Sequence, residues 1–176
     1  MNTVSSLLML RSFAKNERAV FTTGDLARIL GLPRSGTELN DVLRALCAAG
    51  ILIRPLRGVY VLADMAGDSV LERIAAAARR GYLSVVSLET AAARWGLIEQ
   101  QYPGLLTVVT QGREGTFETP WGRLEFCHTE LGREDLLAGC VDGGVLPMTD
   151  RAMTVRLLKR MRRPSAALLK EDDNEF

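Results

Sequence analysis

Thr22-Thr23-Gly24-Asp25-Leu26-Ala27-Arg28-Ile29-Leu30-Gly31-Leu32-Pro33, followed at once by Arg34-Ser35-Gly36-Thr37-Glu38-Leu39-Asn40-Asp41-Val42-Leu43-Arg44-Ala45-Leu46, is the stretch that decides the fold. A hydroxyl with an acid three residues on has capping-box spacing, so Thr22 to Asp25 predicts a helix start. Leu26, Ile29 and Leu30 give that short helix its buried face. Gly31 accepts a left-handed cap and Pro33 cannot continue a helix. Ser35 to Glu38 repeats the capping-box spacing and predicts a longer helix through about Ala49, closed by Gly50. Its apolar set, Leu39, Val42, Leu43 and Leu46, is spaced i, i+3, i+4, i+7. Upstream, Val4, Leu7, Leu8, Arg11 and Ala14 form a helix-spaced stripe that predicts a first helix over residues 3–14, with Lys15-Asn16-Glu17-Arg18 as a polar break. Downstream, residues 51–62 read as two β-rich runs around a turn containing Pro55 and Gly58. Helix, short helix, tight turn, longer helix, hairpin is the element order of a winged helix-turn-helix, expected over residues 1–65.

A second unit is expected over 66–164, with a charged tail at 165–176. Residues 69–79 are Ala- and Leu-rich and predict a helix that Gly81 stops. Ser84 to Trp95 reads as another, with Val85, Leu88, Ala92 and Trp95 near one face. Residues 105–110, 116–119 and 123–128 read as strands, the last two joined by Pro120-Trp121-Gly122. Thr149 is expected to cap a final helix over about 150–162, which Pro164 closes. The fold class is therefore α+β, an N-terminal winged helix-turn-helix followed by a mixed domain with a small antiparallel sheet.

The chain has 176 residues, 47% of them hydrophobic, enough for real cores. No signal peptide is visible and no apolar run approaches the length of a membrane span. Cys47, Cys127 and Cys140 are isolated and odd in number, unlike a disulfide framework. Together these features favour a cytoplasmic protein with no membrane partner. The net charge of +1 conceals an uneven distribution: residues 1–65 carry +3, 66–148 carry −4, 149–163 carry +5 and 164–176 carry −3.

On the wheel of the longer helix, Thr37, Asn40, Asp41 and Arg44 lie opposite the apolar face. Asn and Arg suit adenine and guanine edges in the major groove. Arg34, Ser35 and Thr37, with the open amides of the helix start, suit phosphates. Arg54 and Arg57 flank Pro55 at the hairpin turn, where they can reach a minor groove or backbone phosphates. Asp41 and Glu38 repel phosphate, so one copy is expected to bind modestly, helped by dimerisation or cooperative binding at paired sites. Tyr60 is expected to pack against the helices. In the final helix Arg156, Lys159, Arg160 and Arg163 share a face at i, i+3, i+4, i+7. Three readings of that second basic surface stay open: a phosphate contact, a docking face for an acidic protein, or a solvated face balanced by the tail acids.

Catalysis is not expected. His128 is the one histidine, and Cys127 beside it in a strand points to the opposite face. Cys140 alone does not complete a zinc-type set, so no metal is expected, nor any cofactor. Glu134-Asp135 reads as a solvated helix start.

Several segments together resemble the AbiEi antitoxin family of type IV toxin–antitoxin systems. They are Gly81-Tyr82-Leu83-Ser84-Val85-Val86-Ser87-Leu88, Gly96-Leu97-Ile98-Glu99-Gln100-Gln101-Tyr102-Pro103, Leu106-Thr107-Val108-Val109-Thr110, residues 119–128 and Asp150-Arg151-Ala152. Arg57-Gly58-Val59-Tyr60 falls at the usual end of the winged-helix part. The resemblance implies an N-terminal repressor of the protein's own operon, acting on double-stranded DNA at inverted repeats. It implies a C-terminal domain that counters a nucleotidyltransferase-type toxin without necessarily binding it. A stand-alone regulator of a mobile element, and a protein-interaction adaptor that docks through the winged helix, remain as alternatives.

Overall fold

The computed structural model describes residues 3–14, 19–99 and 104–169. The polar break at 15–18 and the tail from Lys170 lie outside the described residues. The chain forms two compact units, residues 1–78 and 79–176.

The first unit runs α1 (Thr3–Phe13), β1 (Val20–Thr22), α2 (Thr23–Leu30), α3 (Thr37–Ala48), β2 (Leu52–Leu56), β3 (Val59–Leu62), a short 3-10 turn and α4 (Val70–Ala78). At the start of α2 the Thr22 hydroxyl accepts from the Asp25 amide at 3.2 Å, and the Asp25 carboxylate accepts from the Thr22 amide at 2.9 Å. Two otherwise orphaned helix amides are thus satisfied. Thr22→Ala is expected to cost about 1 kcal/mol, read as a fall of several degrees in the thermal midpoint. Gly31 closes α2 with φ +65°, the left-handed geometry its position requires.

The second capping box does not form. The N-cap of α3 is Gly36, which has no side chain to offer. Starting the helix there puts Leu39, not Glu38, at the position where the acid of a box would sit. Leu39, Leu43 and Leu46 are buried, as the spacing predicts, with Val42 half-buried. They meet Leu10, Phe21, Leu26, Leu30, Tyr60 and Leu62 in one core. Helix α1 turns differently from the expected stripe. Leu10 and Ala14 are buried and Leu7 half-buried, while Val4 and Leu8 face solvent. Apolar residues stand on both sides of this helix, so periodicity has little to choose between, and the side carrying Leu7, Leu10 and Ala14 is the one buried.

The strands form an antiparallel sheet in the order β1-β3-β2. Strand β1 pairs Val20 with Val61 and Thr22 with Val59, so the hairpin has a third strand that the turn signals did not announce. The β2–β3 register shifts between Ile53 and Leu56, where Pro55 has no amide to donate. Gly58, at φ +79°, makes the turn, and its carbonyl accepts from the Thr23 amide at 3.0 Å. The hairpin turn is thereby pinned to the start of α2. Helix α4 packs on β1 and β3, burying Val70, Ile74 and Ala75, so the first unit extends past residue 65 to Ala78.

The second unit runs β4 (Ser84–Val86), α5 (Leu88–Arg94), β5 (Leu105–Thr110), β6 (Gly115–Thr119), β7 (Gly122–His128), α6 (Arg133–Ala138), β8 (Cys140–Val141), β9 (Met148–Thr149), α7 (Arg151–Arg160) and a 3-10 turn over Pro164–Leu168. The expected small antiparallel sheet is instead a six-stranded mixed one, ordered β6-β7-β5-β4-β9-β8, with β5–β7 and β4–β9 parallel. The helix expected over Ser84–Trp95 is a strand and then a helix. Ser84–Val86 pairs with Val108–Thr110, and Ser87 breaks the run. Val85, Leu88 and Ala92 still share one core because both elements pack on it. The last helix is capped by Asp150, which accepts from the Met153 amide at 2.7 Å. The expected cap, Thr149, is buried and bonds the Ser87 and Thr154 hydroxyls at 3.1 and 2.7 Å.

Candidate nucleic-acid interface

Helix α3 is held by its leucine face, which fixes what its other side presents. Thr37, Asn40, Asp41 and Arg44 are all exposed there. Ala45 and Ala48 lie on the same arc, small enough to let a helix approach closely. A search for polar chemistry passes over them, although an alanine methyl is a partner for a thymine methyl. Two of the polar groups are tied locally. The Asn40 amide donates to the Gly36 carbonyl at 3.0 Å, and Arg44 pairs with Asp41 at 3.1 Å. Both residues of that ion pair are well exposed, so the pair is worth only about 0.2–1 kcal/mol and exchanges readily for a stronger acceptor. No side chain caps the amides at the α3 N-terminus.

Arg34 and Ser35 are exposed in the turn before α3. The Arg34 guanidinium lies over Gly24, about 3.5 Å from where a Cβ would sit. Arg57 is exposed at the hairpin turn beside Gly58. Arg54, exposed on β2, stacks over the Tyr60 ring at 5.7 Å, within cation–π range. It also stands near α3: burial pushes the Cys47 thiol up, and the Arg54 charge partly offsets it. Tyr60 is buried in the core, as its packing role requires. Arg28, exposed on α2 beside Asp25, is a further cation of this unit that the sequence reading passed over.

The second basic face is reduced in the second unit. Arg156, Lys159 and Arg160 are exposed on α7, but Arg163 is not on that helix. The helix ends at Arg160, and Arg162 takes φ +51°, so extrapolating the helical spacing to residue 163 fails. Arg163 instead turns inward. Its guanidinium bonds Glu89 at 2.7 and 3.1 Å and Glu125 at 2.7 and 2.9 Å, with 23% of the side chain exposed. The Ser165 hydroxyl adds a bond to Glu89 at 2.7 Å. Hydrogen bonds from Arg163 hold the Glu125 carboxyl below its usual range, and those from Glu125 strengthen the hold of Arg163 on its proton. The network joins α5, β7 and the segment after α7.

Cys127, at the edge of this network, is pushed up to about 12 by burial and by Glu125. Burial pushes Cys140 up to about 11. Neither is a thiolate at neutral pH. The His128 ring is exposed and donates from Nδ1 to the Gly112 carbonyl at 2.9 Å. Cys127 and His128 line, with Thr116 and Glu125, a shallow groove of about 410 Å³. Among the described residues, no group of three or more His, Cys, Asp or Glu side chains could hold a metal ion. Among the same residues, no helix is long and apolar enough to cross a membrane.

No curated protein matches the chain in sequence. Residues 9–63 match the family model described as a transcriptional regulator, AbiEi antitoxin. The match begins within the second half of α1, runs through β3, and stops short of the second unit. The crystal structure of the RV2827C protein from Mycobacterium tuberculosis has a similar fold, with a TM-score of 0.60 at 17% identity. The alignment covers 96% of this chain and 65% of that one, so the chain spans just under two thirds of that protein's length. Through residues 9–63, this chain is similar to the AbiEi antitoxin family of transcriptional regulators.

Proposed function

We propose that the first unit is a winged helix-turn-helix that binds double-stranded DNA sequence-specifically and represses transcription of the chain's own operon. The observation that carries this reading is the exposed arc of α3, in a segment that matches a family of transcriptional regulators. Asn40 and Arg44 sit one helical turn apart on it, with Thr37 and the uncapped amides at its start. In this reading α3 enters the major groove, Thr37, Ser35 and Arg34 hold phosphates, and Arg54 and Arg57 on the hairpin reach the adjoining backbone or minor groove. Asp41 lowers the affinity of one copy and holds Arg44 until a base or phosphate replaces it.

A gel shift tests this. The DNA upstream of the chain's own gene is expected to shift in the presence of excess random duplex. A shift that random duplex abolishes at equal mass contradicts it. Arg57→Ala is expected to weaken binding about equally for all sequences and to lower the slope of log affinity against log salt by about 1, measured by titration at several salt concentrations.

The same family description supports a second role as the antitoxin of a type IV system that opposes a nucleotidyltransferase-type toxin. Rescue of growth on co-expression with a neighbouring gene of that type supports that role. Persistent toxicity in its presence leaves a stand-alone regulator.

A further inference from the structure

We propose that the outward face of α1 is a self-association surface, and that its occupant is the same face of a second copy packed antiparallel about a two-fold axis. Four of the eight large apolar side chains exposed among the described residues lie on this one 11-residue helix. Val4 is 60% exposed, Leu8 62%, Met9 42% and Phe13 57%. Together they present on the order of 400 Å² of apolar surface, in two pairs with Ser5 and Ser12 between them, about half of what one partner buries in a standard interface.

Among the described residues of α1, the face carries no charge that would oppose pairing with itself. Its polar members are Ser5 and Ser12, and the Ser12 hydroxyl already donates to the Met9 carbonyl at 2.7 Å. Arg11, at the margin, is neutralised by Asp64. Among the described residues of α1, no carboxylate or ammonium therefore selects a charged partner, and none repels a copy.

The spacing is self-complementary. Side chains four residues apart form two ridges, Val4-Leu8-Ser12 and Ser5-Met9-Phe13. Antiparallel pairing about the middle of the helix puts Val4 opposite Phe13, Leu8 opposite Met9 and Ser5 opposite Ser12. Apolar meets apolar, and hydroxyl meets hydroxyl. A contact related by a two-fold axis requires this reciprocity, since residue i must accept j wherever j accepts i. The proposal does not depend on DNA binding.

Sedimentation velocity on the full chain without DNA tests it. Between about 1 and 100 µM the chain is expected to pass from one to two copies, and Leu8→Glu to raise the midpoint at least about tenfold. Met9→Lys alone should do the same, while mixing Leu8→Glu with Met9→Lys should restore the dimer, because residue 8 of one copy faces residue 9 of the other. Restoration also shows that both variants are folded. A wild-type chain that stays monomeric throughout, a dimer indifferent to Leu8→Glu and Phe13→Glu, or a mixture that fails to reassociate would each overturn the proposal. Each is read without DNA and leaves the DNA-binding reading intact.

Discussion

Arg163→Ala is expected to destabilise the chain by about 3–5 kcal/mol at neutral pH, measured as a fall in the denaturant midpoint of the second unit. The cost does not come from losing an attraction alone. Glu89 and Glu125 would remain in a site that was closed around a guanidinium, with Glu89 only 8% exposed and no other cation described against it at hydrogen-bond distance. Two facing carboxylates without their partner repel each other and lack the solvation that water would give. The pH dependence has a definite sign. The folded Glu125 carboxyl is held below its unfolded value of about 4.3. Its stabilisation is therefore complete above the unfolded value and is lost as pH falls through the lower, folded one. The gap between wild type and Arg163→Ala is expected to narrow below about pH 4. An Arg163→Ala chain as stable as wild type at pH 7 contradicts this account of the network.

The second large effect concerns DNA. Asn40→Ala and Arg44→Ala are each expected to lose about 1–3 kcal/mol of discrimination between the preferred site and a site altered at the contacted base pair, about 10- to 100-fold in relative affinity. The reason is geometric. Both side chains leave the same exposed arc, one turn apart, and both have hydrogen-bonding ends matched to a purine edge. Their local partners, the Gly36 carbonyl and Asp41, cost little to give up because both contacts are exposed. The losses should appear at different base pairs for the two variants, so titrations against single base-pair substitutions separate them. Equal losses at every sequence would make these residues phosphate contacts instead.

How far the sequence foretold these sites depends on how local each interaction is. The Thr22–Asp25 box, the Gly31 cap and the leucine face of α3 involve residues within two helical turns, and all three are present as read. Strand β1 is three residues long and owes its existence to Val59–Val61, some 40 positions away, which no local periodicity reports. Val85 fits a helical stripe and a strand equally well when both faces are buried, so only its pairing with Val109 decides the matter. Strands β8 and β9, two residues each, carry no pattern at all. Among candidate site residues, those of the first unit reach the surface as expected because a solvent-facing arc follows from a buried one. Arg163 misled for the opposite reason: its helical position was extrapolated past the end of α7, and its partners, Glu89 and Glu125, come from distant parts of the chain. The exposed half of α1 was hidden in the same way, since a helix with apolar residues on both sides does not say which half it buries.

The central claim, that α3 of the first unit reads DNA, is tested most directly by fluorescence anisotropy. The affinity of the chain for the duplex upstream of its own gene is compared with that for a shuffled duplex of equal length at about 150 mM salt. The account predicts a ratio of about 10³ or more for the wild-type chain, collapsing toward 1 in the Asn40→Ala/Arg44→Ala double variant while binding to the shuffled duplex stays within a few-fold. A wild-type ratio near 1, or a high ratio that the double variant retains, contradicts it.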